Sequence, residues 1–198
     1  AVVEQDVFYQ GIWIDDLDLS GLTYEDVRSR LEQKQETLAE QVVFTLVYES
    51  DSWALTAGDL GLRTSWQDEL KTAWETGRTK HNSSDEKEQI MARYEAIQSL
   101  LEEPLHLNLS LVWNEALIKQ QLNEVAAGVD FAPIGAQATA FDVSSKRFTI
   151  KDRVPGFEMD KDACLAVILD HLDKGDLGVT IPVKGTATYA GLTAAEMG

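Results

Sequence analysis

The chain has 198 residues, 34 of them acidic and 17 basic, for a formal net charge of −17, and it contains one cysteine. A surface this acidic is repelled by nucleic-acid phosphates and by anionic lipid headgroups, so neither is expected as a partner. One cysteine closes no disulfide within the chain, and no apolar run reaches the roughly 18 residues of a membrane span. With 44% hydrophobic residues the sequence has the apolar content of a folded protein, not of low-complexity disorder. The acids are spread along the chain, as on a solvated surface. The sequence opens Ala1-Val2-Val3 and ends Glu196-Met197-Gly198. Those ends suggest a piece of a longer protein, with residues 191–198 starting a further element and any signal or anchor lying upstream.

Phe8 to Ile14 reads as a strand, with Phe8, Ile12 and Ile14 on one parity. An Asp-Leu-Asp-Leu-Ser-Gly turn follows. Thr23 is placed to cap a helix, with Leu22 and Val27 as a hydrophobic staple and Val27, Leu31 and Leu38 on its buried face. Val42 to Tyr48 is β-rich with both parities mostly apolar, the pattern of a central strand. Glu49-Ser50-Asp51-Ser52 turns it into a return strand through Trp53, Leu55 and Ala57. Trp66 to Thr76 is a short helix ended by Gly77. Ser83 and Glu86 make a capping box for a helix carrying Ile90, Tyr94, Ile97 and Leu101 and ended by Pro104. Leu105, Leu107, Leu109, Leu111 and Trp113 alternate with His106, Asn108, Ser110 and Val112, which predicts one half-buried strand. Asn114 caps a helix whose apolar face is Ile118, Leu122, Val125 and Val129. Ala136–Val143 and Arg147–Ile150 form a second hairpin around Ser144-Ser145. Asp160 caps a helix running to Lys174, with Gly175 past its end. Leu177, Val179, Ile181 and Val183 alternate as a last strand.

The order strand, helix, hairpin, Gly-containing turn and helix occurs over residues 8–76 and again over 105–174. The predicted class is therefore α+β: two similar β-α-β-β-α halves, small mixed sheets with packed helices, joined by a connecting helix. The expected division is residues 1–103 for the first half with its connecting helix, 104–190 for the second, and 191–198 for a truncated downstream element.

Few residues have the company that catalysis needs. Cys164 lies in the apolar stretch Ala163–Ile168, where burial raises a thiol pKa and blocks access. His81, His106 and His171 fall in different elements without a second ligand at metal spacing. Asp15, Asp16 and Asp18 form a carboxylate cluster that could hold Ca²⁺ weakly or act as an acid pair, but a solubilising turn explains them as well. Phosphate-cradling glycine motifs are absent. Trp13, Trp53, Trp66, Trp74 and Trp113 could offer faces to sugar rings, although aromatics at these parities mostly serve cores. Arg78, just beyond a helix end at Gly77, faces the negative pole of the helix dipole; it could cap the helix or hold a carboxylate bidentately.

The opening Gly11-Ile12-Trp13-Ile14-Asp15-Asp16-Leu17-Asp18-Leu19-Ser20-Gly21-Leu22-Thr23 resembles the leader of VanW-like vancomycin-resistance proteins of Gram-positive bacteria, with Asp16 where that pattern has Gly. Trp53 to Leu62, containing Asp59-Leu60-Gly61-Leu62, and then Ala73-Trp74-Glu75-Thr76-Gly77-Arg78 resemble the peptidoglycan-binding domain that precedes VanW domains and the catalytic domain of some L,D-transpeptidases. Ala132-Pro133-Ile134-Gly135-Ala136 and Pro155-Gly156-Phe157-Glu158-Met159-Asp160 fit later blocks of that domain. The match spans residues 42–185, and the leader extends it back to residue 8.

The resemblance implies a non-enzymatic extracytoplasmic module that contacts peptidoglycan or its stem peptides, uses no cofactor and makes no direct membrane contact through this stretch. It also implies an upstream membrane anchor and a downstream domain. Cys164 lacks the Ser-His-Gly-Cys-type block of the transpeptidase nucleophile. Arg78 is the residue expected to hold a stem-peptide carboxylate, with Trp74 beside it. The alternative is a spacer or protein-interaction domain that positions a downstream domain and has no glycan affinity. A hydrolase using Asp15 or Asp18 has the least support, because no partnered acid lies near them in sequence. An acidic module gains nothing from bulk electrostatics on an anionic wall, so binding is expected to need a local pocket and to strengthen as salt rises.

Overall fold

The computed structural model describes residues 6–78, 85–191 and 193. In chain order these form β1 (Ile12–Ile14), β2 (Leu17–Asp18), α1 (Tyr24–Glu40), β3 (Val42–Tyr48), β4 (Asp51–Thr56), β5 (Arg63–Thr64), α2 (Trp66–Glu75), α3 (Glu86–Glu102), β6 (Leu105–Leu107), β7 (Leu111–Val112), α4 (Glu115–Val129), β8 (Gln137–Asp142), β9 (Arg147–Lys151), β10 (Gly156–Met159), α5 (Lys161–Lys174), β11 (Val179–Pro182) and β12 (Gly185–Thr188). The fold is α+β, and the order strand, helix, hairpin, short strand, helix occurs twice, with α3 between the two runs.

The chain groups into two compact units, Ala1–Gln41 with Leu62–Trp113, and Val42–Gly61 with Asn114–Gly198. The grouping differs from a division at residue 103. Hairpin β3–β4 belongs to the second unit, and β6 and β7 belong to the first. The apolar parities of β3 explain its placement. They predict a central strand, and β3 lies between β4 and β11 of its sheet.

In the first unit β1 pairs antiparallel with β2 and parallel with β6, aligning Ile12 with Leu105 and Ile14 with Leu107. The core gathers Phe8, Tyr9, Ile12, Ile14 and Leu19 with Val27 and Leu31 of α1, Trp66, Leu70 and Ala73 of α2, and Ile97 and Leu100 of α3. Burying each large side chain among these contributes about 1.5–3 kcal/mol. Thr23 caps α1 in a reciprocal box with Asp26: the Asp26 amide donates to Thr23 Oγ1, and the Thr23 amide donates to the Asp26 carboxylate.

Three expectations for this unit change. The strand predicted from Phe8 begins only at Ile12, because Gly11 takes φ +84 and turns the chain. The nine-residue strand Leu105–Trp113 divides into β6 and β7, which join different sheets. Its alternation of half-buried and exposed residues survives across the break. At the break, the Leu109 amide donates to Asp15 Oδ1 at 2.9 Å and the Ser110 amide to Ser65 Oγ at 3.1 Å. On α3 the buried residues are Ile97 and Leu100, while Ile90, Tyr94 and Leu101 are exposed. The N-cap of α3 is Asp85, whose carboxylate accepts from the Lys87 amide; the proposed Ser83 cap lies outside the described residues.

In the second unit the predicted hairpins both form, β3–β4 with Glu49 at φ +50 in its turn and β8–β9 around Ser144-Ser145. Asn114 and Asp160 cap α4 and α5 as expected, and Gly175 ends α5 in the left-handed conformation. Ile118, Leu122, Val125 and Val129 of α4 are buried, as are Cys164, Ile168 and Leu172 of α5. Short β10 and β12, absent from the sequence-based prediction, pair antiparallel.

Candidate functional site

Arg78 and Trp74 come together at the C-terminal end of α2. The helix ends at Thr76, and Gly77 turns the chain at φ +74, a conformation glycine adopts without steric cost. That turn swings the Arg78 guanidinium back over its own helix. Nη1 donates to the Trp74 carbonyl at 2.8 Å and Nη2 donates to the Val7 carbonyl. The guanidinium carbon lies 3.7 Å from the centre of the Trp74 ring and 4.5 Å from that of Tyr9. The Trp74 ring is held edge-on by Phe8 at 5.0 Å and Tyr24 at 5.4 Å between centroids. Partial burial pulls the Arg78 pKa below its ordinary value, and the nearby Arg93 charge acts in the same direction.

This geometry is a helix cap that also ties the start of the chain to α2. Replacing Arg78 by alanine removes two charge-assisted hydrogen bonds and a desolvated cation–π contact. The expected loss is about 2–3 kcal/mol of stability, read by urea denaturation. A variant as stable as the wild type would show that the cap is dispensable.

A groove of about 590 Å³ runs along α1 in the first unit. Leu31, Leu38, Leu109 and Leu111 line it with apolar surface, and Arg30, Lys34 and Asp15 supply charge. Gln35 fixes one wall: its Oε1 accepts from the Thr64 amide at 2.8 Å and its Nε2 donates to the Leu62 carbonyl at 3.3 Å. Lys34 Nζ lies 3.6 Å from the Asp15 carboxylate and 3.8 Å from that of Asp16. Volume and mixed lining fall within the range of small-ligand sites. Sequence reading missed this groove, because four stretches separated in the chain build it. The alternating leucines at 107–111 were its one local signal.

Asp15 and Asp16 share Lys34, and Asp15 and Asp18 have separate hydrogen-bond partners. Asp15, at φ +49, accepts from the Leu109 amide, and Asp18 accepts from the Ser20 amide and hydroxyl, which lowers its pKa. Among the described residues no group of three or more His, Cys, Asp or Glu is disposed to hold a metal ion. Cys164 is fully buried. Its sulfur accepts from the Lys184 amide at 3.3 Å, and burial pushes the thiol pKa up, the opposite of nucleophile activation. His106 stacks on Trp13 with ring centroids 5.7 Å apart, and His171 tilts against Phe44; His81 lies outside the described residues. Among the tryptophans, Trp66 is buried in the core of the first unit, and Trp53 packs over Gly128 of α4.

No curated protein and no solved structure matches the chain. A family model does match, over residues 53–180, about two thirds of the sequence and within the 42–185 span of the motif resemblance. Its description is "Putative peptidoglycan binding domain", and the chain belongs to that family.

Proposed function

We propose that this protein is a non-catalytic module that binds peptidoglycan on the outer side of the membrane, within a VanW-like cell-wall protein of a Gram-positive organism. The observation that carries the reading is membership of the peptidoglycan-binding family over residues 53–180. The groove along α1 supports it chemically. An apolar floor of leucines with Arg30 beside it suits a short peptide with aliphatic side chains and a free carboxylate, the composition of a stem peptide, while Lys34 already serves Asp15 and Asp16. No helix among the described residues is long and apolar enough to cross a membrane.

The stem-peptide contact expected of Arg78 and Trp74 competes with a structural duty, which the proposed reading favours. Two donors of the guanidinium already serve backbone carbonyls. The experiment is co-sedimentation with purified sacculi, wild type beside Arg78→Ala, at a temperature where both remain folded. Wild type is expected to pellet above a control protein, and the variant to pellet equally. Selective loss in a folded Arg78→Ala protein would return this residue to the ligand surface. Failure of the wild type to pellet would favour the spacer reading.

A further inference from the structure

The β8–β9 hairpin differs from the rest of the molecule in exposure and charge. Every residue of β8 is exposed, and so is every residue of β9 except Ile150. Phe141 and Phe148 face each other across the strands, with ring centroids 4.8 Å apart and 51% and 61% of their surfaces exposed. Val143 beside them is 78% exposed. A two-stranded ribbon has little stability of its own, and a contiguous exposed apolar facet marks an interaction site more often than a structural accident.

Strand alternation places Arg147 and Lys151 on the opposite face, with Lys146 in the turn and Arg153 just beyond. Four basic residues thus fall within positions 146–153 of a chain whose net charge is −17. Asp142, across from Arg147, directs its carboxylate to the Ser144 amide and the Ser145 hydroxyl, closing the turn; with Asp152 it sets two acids against four bases over positions 142–153. Among the described residues no ion pair engages Lys146, Arg147 or Lys151. The whole hairpin lies inside the family-matched region.

We infer that the β8–β9 hairpin is a docking surface for a peptidoglycan strand. The Phe141–Phe148 facet packs on the sugar rings, and a stem peptide reaching round the edge of the two-stranded ribbon sets its carboxylates on Arg147 and Lys151 of the opposite face. Charge complementarity carries the choice of occupant. A carboxylate-bearing polymer is repelled by most of this acidic chain and attracted where bases outnumber acids, as they do two to one over positions 142–153. The inference rests on the proposal that the ligand is peptidoglycan, and it adds a contact separate from the groove along α1.

The test uses the full chain and purified sacculi, with three double variants: Arg147→Glu/Lys151→Glu, Phe141→Ser/Phe148→Ser, and, as a charge-matched control on helices of the same unit, Lys119→Glu/Lys174→Glu. The hairpin positions are exposed and the phenylalanines pack mainly on each other, so those two melts should stay close to wild type; the control loses the Lys119–Glu115 and Lys174–Asp170 ion pairs, so binding is compared below the lowest circular dichroism melt of the set. Both hairpin variants should bind at least about tenfold more weakly than wild type, and the control within about twofold. The ratio of wild-type to Arg147→Glu/Lys151→Glu binding should shrink as salt rises, because screening removes only the charged contribution. Wild-type binding with undiminished binding by both hairpin variants would overturn the hairpin and leave the proposed ligand intact. Absence of wild-type binding would overturn the ligand assignment, and the hairpin with it. Concentration-dependent self-association lost only in the hairpin variants, with sacculus binding unchanged, would make this surface a contact between copies and also overturn the inference.

Discussion

Substituting Gly156 by alanine is expected to destabilise the second unit by about 3 kcal/mol, which for a unit of about 100 residues lowers the melting temperature by roughly 12–24 °C. The reason lies in three backbone segments that converge on this position. Gly156 opens β10 and pairs with Thr188 of β12, while Phe131 and Phe157 exchange amide hydrogen bonds at 3.0 and 3.1 Å just beside it. A methyl group added there would collide with the Phe131 carbonyl and come within 2.5 Å of Pro133 N and 2.6 Å of Thr188 Oγ1. Two of those three obstacles are backbone atoms, which move only with their strands. Elsewhere, a Gly→Ala change at a compatible position gains about 0.4–1 kcal/mol from the unfolded state, so even the sign of the effect is diagnostic. Gly175→Ala is the matched control: its φ is +71 but nothing lies within 4 Å of the added atom, so only the conformational cost of about 1 kcal/mol remains. Alkylation of the buried Cys164 thiol reports opening of this unit and should accelerate in Gly156→Ala well beyond Gly175→Ala. Equal protection of the thiol in the two variants would contradict the packing described for β10.

The second large effect is expected at Gly11, in the first unit. Here two penalties coincide. The residue adopts φ +84, costly for any side chain, and an added Cβ would overlap the carbonyl oxygen of Leu100 on α3. The Gly11 carbonyl meanwhile accepts from the Leu105 amide at 2.7 Å, so the chain cannot swing away without breaking the start of the β1–β6 pairing. Gly11→Ala should cost about 3–4 kcal/mol. Trp13, Trp66, Trp74 and Trp113 belong to this unit and only Trp53 to the other, so tryptophan fluorescence follows mainly the first unit. Its unfolding midpoint should fall in Gly11→Ala and hold nearly constant in Gly21→Ala, where φ is +73 in open space, apart from a conformational loss of about 1 kcal/mol. Equal midpoints for the two variants would show that α3 does not press on Gly11.

Elements bounded by caps were legible in the sequence. Asn114 and Asp160 placed the starts of α4 and α5, Gly175 placed the end of α5, and the turn residues Glu49–Ser52 and Ser144-Ser145 placed both hairpins, although the first turn is shorter, since β4 begins at Asp51. What escaped was decided by atoms far away in the chain. Leucines at 105–111 keep a strict period of two, yet the strand breaks because the Asp15 carboxylate, 94 positions earlier, takes the Leu109 amide. The turn of α3 that packs was misread for a similar reason: contacts of Ile97 and Leu100 with the tight glycines at 77 and 11 select the buried face, and helical spacing alone does not. Strands of two to four residues such as β5, β10 and β12 are too short for any period to show.

The site was legible in part. Gly77 was legible as a helix end, and capping by Arg78 was one of the two readings its position allowed, since that pattern is local. The Val7 carbonyl that completes the cap lies 71 positions away and left no local trace. The groove along α1 escaped altogether, because its walls come from residues 15, 30–41, 64 and 109–111. Net charge pointed in one direction only. A value of −17 argues for repulsion by anionic polymers, while four bases clustered within positions 146–153 supply a local attraction that the total conceals.

Direct binding to the wall polymer tests the central claim best. The measurement is a titration of the wild-type chain against purified sacculi, with a control protein of comparable negative charge, scored by the fraction pelleted. Saturable pelleting above the control, competed by soluble stem peptide, is the predicted result. Pelleting no greater than that of the control at any sacculus concentration would contradict a peptidoglycan-binding role.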